Sequence, residues 1–175
     1  MTTTRPLTEP GLIDEPSLID RAEQPYVAIR RLVSPATLAE VADDRPGLYG
    51  WLAERGLKPA GAPFFRYNVI GPPDLLDVEI GVRLAAATTG DELVRAGVLP
   101  GGRFACVTHS GHPDGLLDVT AALLDWGSDQ GLRWDLSQTD GGQTWGLRLE
   151  LYKTDPVVEP DLNQWETELL VRLAD

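Results

Sequence analysis

The segment Trp145–Lys153, WGLRLELYK, sets a single carboxylate, Glu150, among leucines. In an extended chain alternate side chains share a face. Arg148, Glu150 and Tyr152 therefore lie on one side of this segment, with Leu147, Leu149 and Leu151 on the other. The polar face has two readings. Turned outward, Glu150 is solvated and pairs with Arg148 or Lys153. Turned inward, it is a partly buried carboxylate, which is costly unless hydrogen-bonded or matched by a cation. An inward Glu150 can hold a cationic ligand. It can also act as a general base on water, with Tyr152 or a histidine as proton donor; burial, by raising its pKa, suits it to that task.

Trp145, Tyr152, Tyr67, Phe65, Trp126 and Trp51 supply aromatic surface. Such rings either pack as core or hold flat and cationic molecules, at about 0.5–2 kcal/mol per desolvated contact. Trp51 and Trp126 are expected to be partly core and partly pocket wall, and Trp165 to be structural. His109 and His112 flank Gly111 in a turn, where they are either turn polars or groups at a pocket mouth that titrate near neutrality. Cys106 reads as a small buried hydrophobe, and a single cysteine forms no internal disulfide. Two histidines and one cysteine are too few for a zinc site of the usual ligand types, so no metal or cofactor is expected.

The elements that must position these groups follow from periodicity. Residues 1–22 carry Pro6, Pro10 and Pro16 without a hydrophobic period and read as a flexible arm. Structure is expected to begin at Tyr26 with the strand YVAIRRLV. Ser34-Pro35 starts a helix through Asp44, Pro46 restarts it, and Gly56 ends it. Strands follow at Pro63–Ile70 and Leu76–Ala85 around the Gly71-Pro72-Pro73-Asp74 turn. The order then recurs: a strand at Arg103–His109, a helix at Leu116–Ser128 stopped by Gly131, and strands at Trp145–Lys153 and Glu166–Ala174.

Paired residues mark a duplication. Trp51 and Gly56 match Trp126 and Gly131 at an offset of 75, and Glu79–Ala85 matches Glu168–Ala174 at an offset of 89. The predicted fold is α+β: two strand–helix–strand–strand units, about 25–88 and 98–175, within one domain spanning 23–175. They form one antiparallel sheet with both helices on one face, related by a pseudo-twofold axis. The cleft between the helices over the central strands is the expected pocket.

Composition narrows the partners. Among 175 residues, 27 are acidic and 15 basic, for a net charge of −12. Nucleic acid needs a basic face, and the sole basic cluster is Arg30-Arg31. Most of the acid excess serves solubility, although it also concentrates cations near the surface. No apolar stretch approaches the ~20 residues that span a bilayer. The N-terminus lacks the apolar run of a signal peptide, which points to the cytoplasm.

The run Arg148-Leu149-Glu150-Leu151-Tyr152-Lys153-Thr154-Asp155-Pro156 resembles the signature of GyrI-like small-molecule-binding domains. Trp165-Glu166-Thr167-Glu168-Leu169 resembles the family's closing strand, and His109-Ser110-Gly111-His112 its strand-to-helix turn. Pro63–Tyr67 and Asp77–Val82 resemble the corresponding strands of the first half. The resemblance covers about Pro25 to Asp175 and implies the same duplicated fold. It also implies that Glu150 faces the ligand, with Tyr152, Trp145, Tyr67, Phe65, Trp126, Trp51 and His112 around it. Such domains are the effector sensors of bacterial multidrug-responsive regulators, where a DNA-binding segment precedes them. The 25 residues before the first expected strand leave no room for one here. The implied function is free-standing binding of bulky aromatic, cationic small molecules. Two alternatives are a hydrolase opening cyclopropane-type DNA alkylators, with Glu150 and Tyr152 as catalytic groups, and an inhibitor that binds a protein such as gyrase.

Overall fold

The computed structural model describes residues 15–72 and 74–175. Residues 1–14 of the expected arm and Pro73 of the expected turn lie outside the described residues. In chain order the elements are β1 (Ser17–Arg21), β2 (Gln24–Val33), α1 (Arg45–Glu54), β3 (Phe64–Gly71), β4 (Leu75–Arg83), β5 (Arg95–Leu99), β6 (Gly102–Ser110), α2 (Leu116–Asp129), β7 (Leu136–Thr139), β8 (Gly142–Trp145), β9 (Arg148–Tyr152) and β10 (Glu166–Arg172).

The strands form one curled sheet in the order β1-β6-β10-β9-β3-β4-β2-β5, with β7 and β8 beside β3 and every pairing antiparallel. The order is palindromic about the β9–β3 seam. The second half supplies β6-β10-β9 and the first half supplies β3-β4-β2, as the pseudo-twofold requires. The edges are exchanged: β1, preceding the first half, flanks the second, and β5, preceding the second, flanks the first.

Both helices cover the same face, one on each half. α1 buries Leu48, Trp51 and Leu52 against Val78, Ile80 and Val82 of β4. α2 buries Leu116, Val119 and Leu123 against Ala105 and Val107 of β6 and Leu169 and Val171 of β10. The other face curls onto itself around Phe64, Phe104, Leu149, Leu151 and Leu170. Both helices end alike. Gly56 and Gly131 take positive φ, and the next residue, Leu57 or Leu132, donates its N–H five residues back, to Leu52 or Gly127. That left-handed turn at the same offset of 75 is the helical counterpart of the duplication.

Several local expectations change. The segment Pro35–Asp44 is a 3-10 helix, entered through Ser34 and Thr37, rather than α-helix. Pro46 does sit in the first turn of α1, where its missing N–H would have had no partner. Structure begins before Tyr26, because Ser17–Arg21 pairs with β6 as an edge strand. The strand expected over Trp145–Lys153 breaks after Trp145. Gly146 donates its N–H to the Asp135 carbonyl at 2.9 Å, and a side chain there would collide with the Asp135 carboxylate. The chain is pinned at Gly146, and between β8 and β9 it carries two residues more than the facing stretch of β3. Among the described residues no helix is long and apolar enough to cross a membrane.

Candidate functional site

One row of side chains crosses the helix-covered face of the sheet, and its registers can be followed strand by strand. Ile29 pairs with Ile80, Ile80 with Phe65, Phe65 with Glu150, Glu150 with Leu169, and Leu169 with Val107. Five of these six are buried hydrophobics. Glu150 is the exception and stands beside the seam, on the floor between the two helices. The inward reading of the β9 polar face is thus the one realised. Leu149 and Leu151 point the other way, into the second core.

The surroundings of the carboxylate explain how it is tolerated. Tyr152 donates its hydroxyl to Glu150 Oε2 at 2.8 Å, and the Tyr67 phenol is near enough to favour the charged carboxylate. Phe65 meets the Tyr152 ring edge-on, with centroids 5.0 Å apart. Tyr152 packs against both helix-side cores and so closes the gap between them. Arg148 projects from the same face, its guanidinium 4.8 Å from the centre of the Trp145 ring and 5.7 Å from that of Tyr67.

Burial raises the Glu150 pKa above the ordinary carboxylate value, and the hydrogen bond from Tyr152, the nearby Tyr67 phenol and the charge of Arg148 only partly oppose it. Burial likewise pushes both tyrosines well above the usual phenol value, reinforced by the negative charge of Glu150. Both therefore stay protonated as donors. Desolvation lowers Arg148. The result is a carboxylate short of compensation, ringed by aromatic faces and left partly open to solvent.

The site residues expected from sequence are distributed as follows. Glu150, Tyr152, Tyr67, Phe65 and Trp145 share one face around the seam. Trp145 is buried, and among the described residues its indole N–H has no hydrogen-bond partner. Trp51 is buried in the core beneath α1; its N–H goes to Asp91 Oδ2 at 2.8 Å and its ring is covered by Arg55 at 3.8 Å. Trp126 is half-buried at the edge of the α2 core. His112 uses Nδ1 to accept the Asp114 N–H at 3.0 Å, capping the short turn before α2.

Three further neighbours join this face: Arg148 and His109, both read from the sequence but not placed in the expected ligand set, and Thr167, which sequence reasoning missed. Arg148 lies over two of the rings. Thr167 is buried opposite Tyr152, and His109 is buried opposite Thr167, its Nδ1 without a partner among the described residues. Strand alternation alone places all three on this face. Among the described residues no group of three or more His, Cys, Asp and Glu could hold a metal ion.

The family model described as a GyrI-like small molecule binding domain matches residues 14–174. Comparison with the curated proteins finds no match. Solved structures share the fold. The C-terminal domain of EcmrR superposes with a TM-score of 0.74 at 17% identity, over 94% of this chain and 99% of that one. Against EcmrR in its complex with DNA the match covers 92% of this chain and only 57% of the other, with a TM-score of 0.72 at 17% identity. SAV2435 bound to tetraphenylphosphonium gives a TM-score of 0.60 at 12% identity, covering 92% of this chain and 94% of that one. A hydrolase from Listeria innocua gives 0.61 at 14% identity, covering 91% of each chain.

Proposed function

The chain belongs to the family of GyrI-like small-molecule-binding domains, and from that premise we propose that it binds bulky aromatic cations at the β9–β3 seam. The observation that carries this reading is the lone carboxylate in an otherwise apolar row, under-compensated and walled by Tyr67, Tyr152, Phe65 and Trp145. A lipophilic cation suits it in two ways. Its charge offsets the desolvated carboxylate, and its rings stack on faces that need little directional contact. Loose specificity follows from one charge plus stacking. SAV2435, which shares the fold, holds a ligand of this chemistry, tetraphenylphosphonium.

The same geometry supports hydrolysis less well. Glu150 is a fitting base for a water that attacks a cyclopropane carbon. The electron pair of the broken C–C bond leaves onto the acceptor group conjugated with the ring, which then takes a proton, and the adjacent donor, Tyr152, has been made a weaker acid than a free phenol. Binding without turnover is the better-supported function.

The test is a tryptophan-fluorescence titration with a cationic rhodamine, comparing the wild type with Glu150→Gln. Loss of a charge interaction of about 1 kcal/mol weakens binding roughly fivefold. Equal affinity in the two proteins overturns the assignment. A ring-opened product, seen by mass spectrometry after incubation with a cyclopropane-bearing alkylator and abolished by Glu150→Gln, replaces it with the hydrolase.

A further inference from the structure

The cation-binding surface already has an occupant. The Arg148 guanidinium lies over Trp145 and Tyr67, two of the rings that a cationic ligand needs. Its position is fixed by the strand: Arg148 and Glu150 are two residues apart on β9 and share a face. Tyr67 lies one step beyond the Arg66–Leu149 pair on β3, which brings it alongside Arg148. Among the described residues the guanidinium makes no hydrogen bond and has no carboxylate within ion-pair distance, although arginine carries five N–H donors in a fork suited to carboxylates. The residue is also partly exposed, so the head group can leave for water without a gate opening.

We infer that Arg148 is a resident cation that competes with the ligand, and that an aromatic cation binds by displacing the guanidinium from the Trp145 and Tyr67 rings into solvent. This rests on the cation-binding reading of the seam and goes beyond it, since it names the residue that sets the site's selectivity. With Arg148 in place the rings and Glu150 are partly matched, and a small hydrated cation gains little by replacing it. A large cation brings ring surface of its own and gains the stacking area, while the expelled arginine recovers hydration. The site therefore favours bulk and hydrophobicity over charge alone. Arginine suits this role better than lysine, because its planar, weakly hydrated head group stacks on aromatic faces.

The experiment compares wild type, Arg148→Met and Arg148→Lys, titrated with tetraphenylphosphonium and followed by tryptophan fluorescence. Methionine keeps much of the apolar stem and removes the charge. Arg148→Met is expected to bind at least about tenfold more tightly than wild type, about 1.4 kcal/mol. Arg148→Lys keeps a competing charge and is expected to stay within about threefold of wild type. A second readout needs no ligand: the carboxyl titration of Glu150 by carbon NMR. Arg148 holds that titration down, so Arg148→Met is expected to move it to higher pH. If wild type binds the probe and Arg148→Met binds no more tightly, the displacement inference is overturned and the cation site stands. If the Glu150 titration does not move, Arg148 does not reside beside it and the inference falls whatever binds. If the titration moves and neither protein binds the probe, the cation-site reading itself is overturned.

Discussion

The bond between Tyr152 and Glu150 is where the inward orientation of the carboxylate has an energetic consequence that can be measured without any ligand. Tyr152→Phe removes one oxygen and leaves the ring against Phe65, so packing is kept and the 2.8 Å hydrogen bond is lost. A hydrogen bond to a charged group contributes about 1.5–3 kcal/mol, and one between neutral groups about 0.5–1.5 kcal/mol. The Tyr67 phenol nearby also favours the charged carboxylate and offsets part of the loss, which favours the lower end. Tyr152→Phe should therefore cost about 1.5–2 kcal/mol in the wild type. In the Glu150→Gln background, where the acceptor is neutral, it should cost about 0.5–1 kcal/mol. The coupling in a double-mutant cycle is then about 1 kcal/mol, above the ~0.3–0.5 kcal/mol within which independent substitutions add. Urea unfolding of the four proteins near neutral pH measures it. Equal losses in the two backgrounds would refute the reasoning, because a solvated Glu150 does not depend on Tyr152.

Two further perturbations test the site's electrostatics and its frame. Burial raises the folded-state pKa of Glu150 above its unfolded value, so the folded protein holds this proton more tightly than the unfolded chain. Wild-type stability relative to Glu150→Gln should be greatest below the ordinary glutamate pKa, fall as pH rises from there to the raised folded value, and then level off; urea midpoints of both proteins across that range check it, and a difference independent of pH would contradict it. Leu123, fully buried in the core of α2, sits under one wall of the seam. Leu123→Ala should cost about 2–5 kcal/mol by thermal or urea unfolding, with the spread set by how far the cavity collapses.

Much of this architecture was legible in the chain. Alternation in WGLRLELYK placed Arg148, Glu150 and Tyr152 on one face, and the matched Trp-to-Gly intervals announced two equivalent helices. Which face turned inward was not legible, because a strand's period says which residues are together and not what covers them. The short strands were missed for a related reason. Arg95–Leu99 is mostly exposed and contains a glycine, and Ser17–Arg21 follows a proline-rich stretch, so their pairing comes from the edges of the sheet rather than from their own propensity. The break at Gly146 depends on the approach of Asp135, eleven residues earlier, which no local pattern records. Trp51 and Trp126 illustrate the limit of type-based reasoning. Their equal spacing reports symmetry, yet one indole is tied to Asp91 in the core and the other sits half-buried on α2.

The duplication also explains why the charge stands where it does. The pairs Phe65–Ile80 and Ile80–Ile29 in the first half become Glu150–Leu169 and Leu169–Val107 in the second, so ladder register is preserved between the halves. Phe65 and Glu150 are equivalent positions, and the axis passes between them because they also pair with each other. Two residues on, Tyr67 and Tyr152 are equivalent as well, which is how two phenols from different halves reach one carboxylate. A phenylalanine at both axial positions would yield a closed apolar seam, and a glutamate at both would place like charges face to face at a cost of several kcal/mol. One of each leaves a single negative charge beside a ring. Since Phe65 and Tyr67 come from one half and Arg148, Glu150 and Tyr152 from the other, neither half alone can surround the carboxylate, and the binding proposed at the seam requires both.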